Sequence, residues 1–170
     1  TGRFASWCYK SFGGNLILAV SIAVIYGVSK VRNCTIKELI SNEYSIKCKN
    51  TPIPMFNLLD GIKGHETSGL ECLLIPTLDI GIEKIISYSF RVYEEFEKIL
   101  SKKFVNSNFI SKQGGYSNTS IKTLNEILEI SSEAIKNAGF EFNNDYNLGI
   151  DVAATDIFNN NKYLAKWINN

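Results

Sequence analysis

A carboxylate near the end of a short apolar segment is the first candidate for chemistry in this sequence. Residues 148–152 read Leu-Gly-Ile-Asp-Val, and they place Asp151 near the C-terminal end of a predicted strand. In parallel α/β folds the C-terminal ends of strands carry the binding and catalytic residues. An aspartate at a strand end can equally be the N-cap of the next turn. Asp151 is therefore a candidate site residue, with capping as the alternative.

The histidine and the cysteines offer little to a metal site. His65, the only histidine, lies in a polar loop over residues 61–69. The four cysteines show no C-x-x-C pair, so a structural zinc site is disfavoured. We expect reduced, mostly buried thiols, with a disulfide framework as the minority alternative. The cysteines are Cys8, Cys34, Cys48 and Cys72.

The charge pattern argues against nucleic acid as a partner. The net charge is +1, and the lysines and arginines are scattered instead of forming a basic stripe. The length of 170 residues suits one domain or pieces of two.

An apolar run near the N-terminus raises the question of a membrane. Residues 16–28 are almost uninterrupted apolar, but 13 residues fall short of the roughly 20 that span a bilayer. A signal-peptide core is the alternative, in which case Asn33 and Asn118 would be glycosylation acceptors. We predict instead a helix that begins after a loop over residues 1–14, with Asn15 as N-cap, and is buried on most faces.

The remaining periodicities predict a helical start followed by strands and helices. Thr35 and Glu38 form a capping-box pattern for a short helix over residues 36–42, and a polar linker over 43–51 suggests a domain boundary. Strands are predicted at 51–61, 70–76 and 148–152, the first two as antiparallel neighbours. Helices are predicted at 80–104 and 120–138, with a glycine turn at 111–115 between them and a loop-like tail from 158. The fold class is α/β with a helical start, ordered β-β-α-α-β after the linker.

Five stretches in this order resemble the enolase family, the phosphopyruvate hydratases. Residues 10–21 (KSFGGNLILAVS) are similar to the family's K-S-x-x-G-A-N-A-I-L-A-V-S, and 52–61 (PIPMFNLLDG) to P-x-P-x-x-N-x-x-N-G-G. Residues 71–77 (ECLLIPT) are similar to the E-F-M-I-x-P-T segment. Residues 111–115 (SKQGG) fall where the family has G-D-E-G-G. Residues 148–158 (LGIDVAATDIF) are similar to L-x-L-D-x-A-x-S-E-F.

The resemblance implies a partial enolase-like fold. Residues 1–45 would be a helical remnant of the N-terminal domain, and 51–170 the first part of the C-terminal TIM-type barrel. It also implies a cytoplasmic protein whose apolar helix is internal, with no membrane contact. Because the unclosed barrel would leave strand edges open, we expect a protein partner, either an enolase-like dimer or a larger assembly.

The family reaction is the Mg²⁺-dependent dehydration of 2-phosphoglycerate to phosphoenolpyruvate in glycolysis. By resemblance, Asp151 matches the first metal-binding aspartate and Glu71 the glutamate that assists the acid. The other metal ligands and the lysine base would come from later strands, so we expect this chain alone not to bind Mg²⁺ tightly.

The acid position departs from the family pattern. Gln113 occupies the place of the acidic glutamate, and an amide has no acidic proton to give. Lys112 replaces an aspartate beside it. His65 lies near the family's loop histidine, although its loop is one residue longer before the histidine.

Three functions remain open from the sequence. The first is a catalytically inactive relative kept as a structural or interaction subunit of a larger assembly. The second is a segment of a genuine enolase that is active only with its C-terminal part. The third is a phosphate- or metal-binding module around Glu71 and Asp151.

Overall fold

A computed structural model describes the backbone of residues 2–47, 51–104 and 108–168, and the side chains in those ranges from residue 10 onward. The chain divides into two compact units, Thr1–Thr51 and Pro52–Asn170. The assignment of the first unit to an enolase N-terminal domain stays a prediction.

The first unit consists of α1 (Gly2–Val31) and α2 (Ile36–Glu43). The loop predicted for residues 1–14 is wrong for residues 2–12, which are helical. Gly13 interrupts α1 with a φ of 76° and a ψ of 160°. That conformation is open to glycine and strained for other residues, so the break falls two residues before the predicted N-cap, Asn15. The capping box of α2 is confirmed: the Thr35 hydroxyl accepts from the Glu38 amide at 3.2 Å, and the Glu38 carboxylate accepts from the Thr35 amide at 2.8 Å.

The burial predicted for the apolar helix is not observed. Leu18 is 61% exposed and Val24 is 58% exposed. Among the side chains described in this unit, α1 and α2 pack at their junction, where Val28 and Leu39 line an apolar groove. The segment Lys10–Val31 is long and apolar enough to cross a membrane, a criterion of length and composition that soluble core helices and signal sequences also meet.

The second unit contains a five-stranded sheet with two long helices. In chain order the elements are β1 (Phe56–Asp60), β2 (Leu70–Pro76), α3 (Ile82–Lys103), β3 (Asn108–Ile110), β4 (Tyr116–Asn118), α4 (Leu124–Asn137), β5 (Tyr146–Val152), α5 (Ala154–Ile157), β6 (Phe158–Asn159), β7 (Lys162–Tyr163) and a 3₁₀ helix (Lys166–Ile168). The sheet order is β3-β4-β1-β2-β5, and β6 and β7 form a separate hairpin.

The strand directions confirm the predicted antiparallel pair of β1 and β2 and show how β4 and β5 run relative to that pair. Strands β1 and β2 are antiparallel, as their short connection predicts. Strand β5 is antiparallel to β2 and therefore runs in the same direction as β1. Strand β4 pairs parallel with β1. The sheet therefore contains both parallel and antiparallel strand pairs. Among the described residues it does not close into a barrel.

Several predicted boundaries shift for identifiable reasons. Strand β1 begins at Phe56 and not at residue 51, since Pro52 and Pro54 have no amide hydrogen for a ladder. Helix α4 begins at Leu124 because Thr123 is its N-cap, in a second capping box with Glu126. The predicted glycine turn is the tip of a β3–β4 hairpin, and the tail contains the β6–β7 hairpin.

The core lies on one face of the sheet, against α3 and α4. Burial alternates along β2, where Leu70, Cys72 and Leu74 are buried. They form one cluster with helix residues that include Phe96 and Ile127. Because successive strand residues point to opposite faces, Glu71 lies on the face away from this core. The alternating burial along β2 therefore places Glu71 on the face of the sheet that carries the candidate site.

Candidate functional site

Three carboxylates lie side by side across neighbouring strands. Asp60 in β1 pairs with Glu71 in β2, and Glu71 pairs with Asp151 in β5. Directly opposed strand residues have Cβ atoms roughly 4.5–5.5 Å apart. Glu71 is near the start of its strand while the other two are at or near strand ends, and the antiparallel direction of β2 brings all three to the same edge. We call Asp60, Glu71 and Asp151 the carboxylate row.

A bulge in β1 brings Asn57 to the same face. The β1–β2 register shifts between Asn57 and Leu59, so Asn57 and Asp60 lie on one side although they are three residues apart. The Asn57 Nδ2 donates to the Asp60 Oδ1 at 2.6 Å. Its Oδ1 is buried without a hydrogen-bond partner.

Asp60 is a buried hydrogen-bond acceptor at three atoms. The Ser111 hydroxyl donates to Oδ2, and Asn57 already occupies Oδ1. The Ser117 hydroxyl donates to the Asp60 backbone carbonyl at 2.8 Å. Both carboxylate oxygens of this buried side chain are therefore engaged by neutral donors, so neither is left without a hydrogen bond.

The loop over residues 111–115 lies against the carboxylate row. Its Gln113 amide N–H donates to the Ser111 hydroxyl at 3.1 Å, and its Gln113 side chain hydrogen-bonds to Glu71. The Tyr93 hydroxyl of α3 donates to the Gly114 carbonyl at 2.6 Å. A Cβ at Gly115 would come within 2.8 Å of the Asn57 side-chain oxygen, so the close approach of this loop to β1 requires glycine.

The carboxylate row affects the pKa of Glu71. Partial burial raises the pKa of the Glu71 carboxyl, and the negative charges of Asp60 and Asp151 raise it further. The hydrogen bond from Gln113 acts in the opposite direction and lowers that pKa. Glu71 therefore binds its proton more strongly than an exposed glutamate, which is the property of a group that holds or transfers a proton.

His65 occupies a different part of the second unit. It is exposed, and its amide donates to the Ile62 carbonyl at 3.0 Å within the β1–β2 loop. With Ser68 it lines a surface depression of about 270 Å³. The Lys63 ammonium and the Asp156 carboxylate also line that depression, 2.9 Å apart. The structure thus brings Glu71, Gln113 and Asp151 together and places His65 in a separate depression.

The described side chains do not fit a Mg²⁺ site. Among the described ranges, no three His, Cys, Asp or Glu side chains are placed to hold one metal ion. Mg²⁺ requires near-octahedral oxygen coordination, and the Asp60 oxygens already accept hydrogen bonds. The metal role of Asp151 stays a prediction, as do the roles assigned to Glu71, His65 and Gln113.

Asp60, Asn57 and Ser111 are site residues that the sequence analysis did not single out. Asp60 ends an apolar strand as Asp151 nearly does, so the same criterion could have found it. Asn57 reaches the site only through a bulge, and Ser111 only through the fold of a hairpin tip. Neither of those carries a recognisable signal in the sequence.

The comparisons with known proteins agree with this architecture. The family described as "Enolase, C-terminal TIM barrel domain" matches residues 48–169. The enolase of Ehrlichia ruminantium (strain Gardel) is 32% identical over 154 residues, which cover 89% of this chain and 35% of the relative. The enolase of Solanum lycopersicum is 28% identical over 159 residues, covering 92% of this chain and 35% of the relative.

This chain therefore spans about a third of the length of the curated relatives it matches. The family match also accounts for the mixed sheet and two packed helices as a partial α/β enolase-like fold. On the family match over most of the sequence, the chain belongs to the enolase family.

Proposed function

We propose that this chain is a catalytically silent member of the enolase family that acts through protein–protein contacts, as a subunit of a larger assembly. The observation that carries the proposal is Gln113. It stands where the family pattern has the acid, and its amide hydrogen-bonds to Glu71 instead of presenting a proton. An amide cannot replace a carboxylic acid in proton transfer to a leaving hydroxyl.

Lys112 and Asp60 do not supply a substitute acid at that place. Lys112 is exposed on the same loop, and an ammonium ion is a weak general acid near neutral pH. Asp60 is near Glu71, but its two oxygens accept hydrogen bonds from Asn57 and Ser111. Both side-chain oxygens of Asp60 are therefore already occupied as acceptors.

Exposed apolar surface supports the protein contacts. Strand β5 is at one end of the sheet, and its Ile150 and Val152 are 38% and 40% exposed. On α3, Ile86 and Phe90 are exposed one helical turn apart. Apolar patches and strand edges of this kind are sites of association in soluble proteins. The partner is a protein, in the cytoplasm where enolases act, with no nucleic acid or membrane involved.

An enolase assay tests the loss of activity. We expect no phosphoenolpyruvate from 2-phosphoglycerate and Mg²⁺ with the purified chain, nor with Gln113→Glu. A full-length enolase added to the same mixture is the control for inhibitors in the preparation. Turnover by the unmodified chain above a no-protein blank would refute the proposal, because Gln113 would then be compatible with the reaction.

Analytical ultracentrifugation tests the partner. We expect the purified chain to sediment as an oligomer or in a concentration-dependent manner, and replacing Ile86 and Phe90 with serine to shift it toward the monomer. Lys84→Ser on the exposed surface of the same helix is the control. A sharp monomer at all concentrations for the unmodified chain would contradict self-association and the proposed exposed interface.

The second candidate function is a segment of an active enolase that needs its C-terminal part. The retained pairing of Glu71 with Asp151 favours it, because both match family site residues and lie on adjacent strands. The remaining groups, and the Mg²⁺ that the family implies, would then come with the complement. We expect no activity when the chain is mixed with the C-terminal two-thirds of a family enolase. Activity in the mixture but not in either part alone would favour this second function over the first.

A further inference from the structure

We infer that Asp60, Ser111 and Gln113 form a latch that fixes the 111–115 loop over the carboxylate row. The Ser111–Asp60 hydrogen bond joins β1 to the tip of the β3–β4 hairpin, and the Gln113 amide N–H donates to the same Ser111 hydroxyl at 3.1 Å. The Gln113 side chain lies beside Glu71 of β2. The inference concerns the conformation of the loop and stands whether or not the chain is catalytically silent.

The departures from the family pattern coincide with the latch. Asp60 stands where the quoted pattern has asparagine, Ser111 where it has glycine, and Gln113 where it has glutamate. The first change adds a buried acceptor on the strand, and the second adds the hydroxyl that donates to it. The third replaces a carboxylate by an amide that donates to Glu71. The three changes are chemically complementary.

The loop is built around the Ser111 hydroxyl. Ser111 donates to Asp60 and accepts from the Gln113 amide at 3.1 Å, so one hydroxyl connects the strand to the turn. Its backbone closes the same turn, because its N–H donates to the Gly115 carbonyl at 2.8 Å and its carbonyl accepts from Gly114 at 3.1 Å. Removing the hydroxyl would leave these two backbone bonds in place and break the link from the turn to the Asp60 side chain.

Electrostatics favour the closed loop. Carboxylates directly opposite one another on adjacent strands repel, and the row contains three. The closed loop brings hydroxyl and amide donors to two of them, Asp60 and Glu71. A glutamate at position 113 would bring a fourth carboxylate instead. The donors of the loop therefore offset repulsion within the row.

Amide hydrogen exchange of the complete chain tests the latch. In Ser111→Ala, exchange in the peptide that covers residues 111–115 is expected to rise about tenfold or more, since a hydrogen bond to a charged group is lost. Asp60→Asn keeps the shape and weakens the bond, so a smaller increase is expected. Lys112→Ala, in the same loop but outside the latch, should stay within about twofold of the unmodified chain. Unchanged exchange in α4 reports that the fold is intact.

The double variant gives the sharpest criterion. Once the hydroxyl is absent, the Asp60 side chain has no hydrogen bond to the 111–115 loop left to weaken, so Ser111→Ala with Asp60→Asn should exchange no faster in this loop than Ser111→Ala alone. Loop exchange in Ser111→Ala that matches Lys112→Ala would overturn the latch. The latch would also be overturned if loop exchange in the double variant rose by the product of the two single-variant increases.

Discussion

Glu71 is the carboxylate of the row whose pKa the fold raises. Its pKa is raised by burial and by the charges of Asp60 and Asp151, so ionising it is less favourable in the folded chain than in the unfolded chain. A raised carboxyl pKa destabilises the fold above that pKa and ceases to do so below the unfolded value. We therefore expect Glu71→Gln to increase the free energy of unfolding at pH 7, with the gain shrinking as the pH falls toward about 4.

Urea unfolding at pH 7 and at pH 4 measures this difference. Glu129→Gln, on the exposed face of α4, is the matched control, and we expect it to change the pH dependence little. A Glu71→Gln variant less stable than the unmodified chain at pH 7 would mean that the ionised carboxylate is stabilising, and that the hydrogen bond from Gln113 outweighs the repulsion in the row.

Two described cysteines should differ in reactivity. Both are free thiols; Cys72 is buried in the core, and burial raises the pKa of its thiol to about 11. Cys34 is half-buried beside the N-terminus of α2. Since the thiolate is the nucleophile, iodoacetamide at pH 8 should label Cys34 well before Cys72. Peptide mass spectrometry over time measures both rates, and equal labelling in the folded chain would contradict the burial of Cys72. The predicted pairing state of Cys8 and Cys48 falls on residues whose side chains lie outside the described ranges.

At the residue scale the sequence predicted the site only in part. Glu71 and Asp151 were identified as candidates, and the β2–β5 register makes them neighbours. The criterion that identified Asp151, an aspartate at or near the end of an apolar strand, also applies to Asp60. It does not apply to Asn57 and Ser111, because one depends on a strand bulge and the other on a turn that folds back across the sheet. His65 shows the converse: a residue type suited to catalysis lies in a separate depression.

Helix α4 offers a test at the scale of an element. Its capping box pairs the Thr123 hydroxyl with the Glu126 amide at 3.2 Å, and the Glu126 carboxylate with the Thr123 amide at 2.9 Å. Thr123→Ala removes the side-chain acceptor and should destabilise the second unit by about 1 kcal/mol. Thr123→Ser keeps that acceptor and should stay close to the unmodified chain. Thermal unfolding measures both, and equal losses for alanine and serine would assign the effect to the lost methyl group instead of the cap.

The elements that the sequence predicted well are those with long periodic patterns. Helix α3 and strand β2 carry clear 3.6- and 2-residue periods, and their observed limits lie within two residues of the predicted ones. The β3 and β4 strands have three residues each, too short for any period, so the predicted glycine turn was only the tip of their hairpin. The T-x-x-E signal at Thr123 was present in the sequence, but the apolar pattern upstream of it led to an earlier predicted start.

For the whole molecule, the order of five motifs identified the family where periodicity alone gave only an α/β class. Periodicity suggested a parallel sheet from the helix before β5. The short connection predicted the antiparallel β1–β2 pair, but the sequence did not predict that β5 lies beside β2 and antiparallel to it, because that depends on how the connections cross the sheet. The apolar composition of α1 predicted burial, yet its side chains are exposed within the described ranges. The apolar composition of a helix indicates which side chains a partner surface could bury. It does not show that such a surface is present.

The second unit should fold without the first. Every residue of its described core cluster lies between Phe56 and Trp167, within Pro52–Asn170. A unit with its own apolar core is expected to unfold in one cooperative transition. We predict that a polypeptide of residues 52–170 keeps a sharp thermal transition and a near-ultraviolet circular dichroism signal from packed aromatic rings such as Tyr93 and Tyr116, which lie 4.7 Å apart. Val92→Ser in the core of the same polypeptide is the control that should abolish both signals. A broad, non-cooperative thermal transition for residues 52–170, beside a sharp transition for the complete chain, would contradict this prediction. It would show that the first unit is needed for the stability of the second.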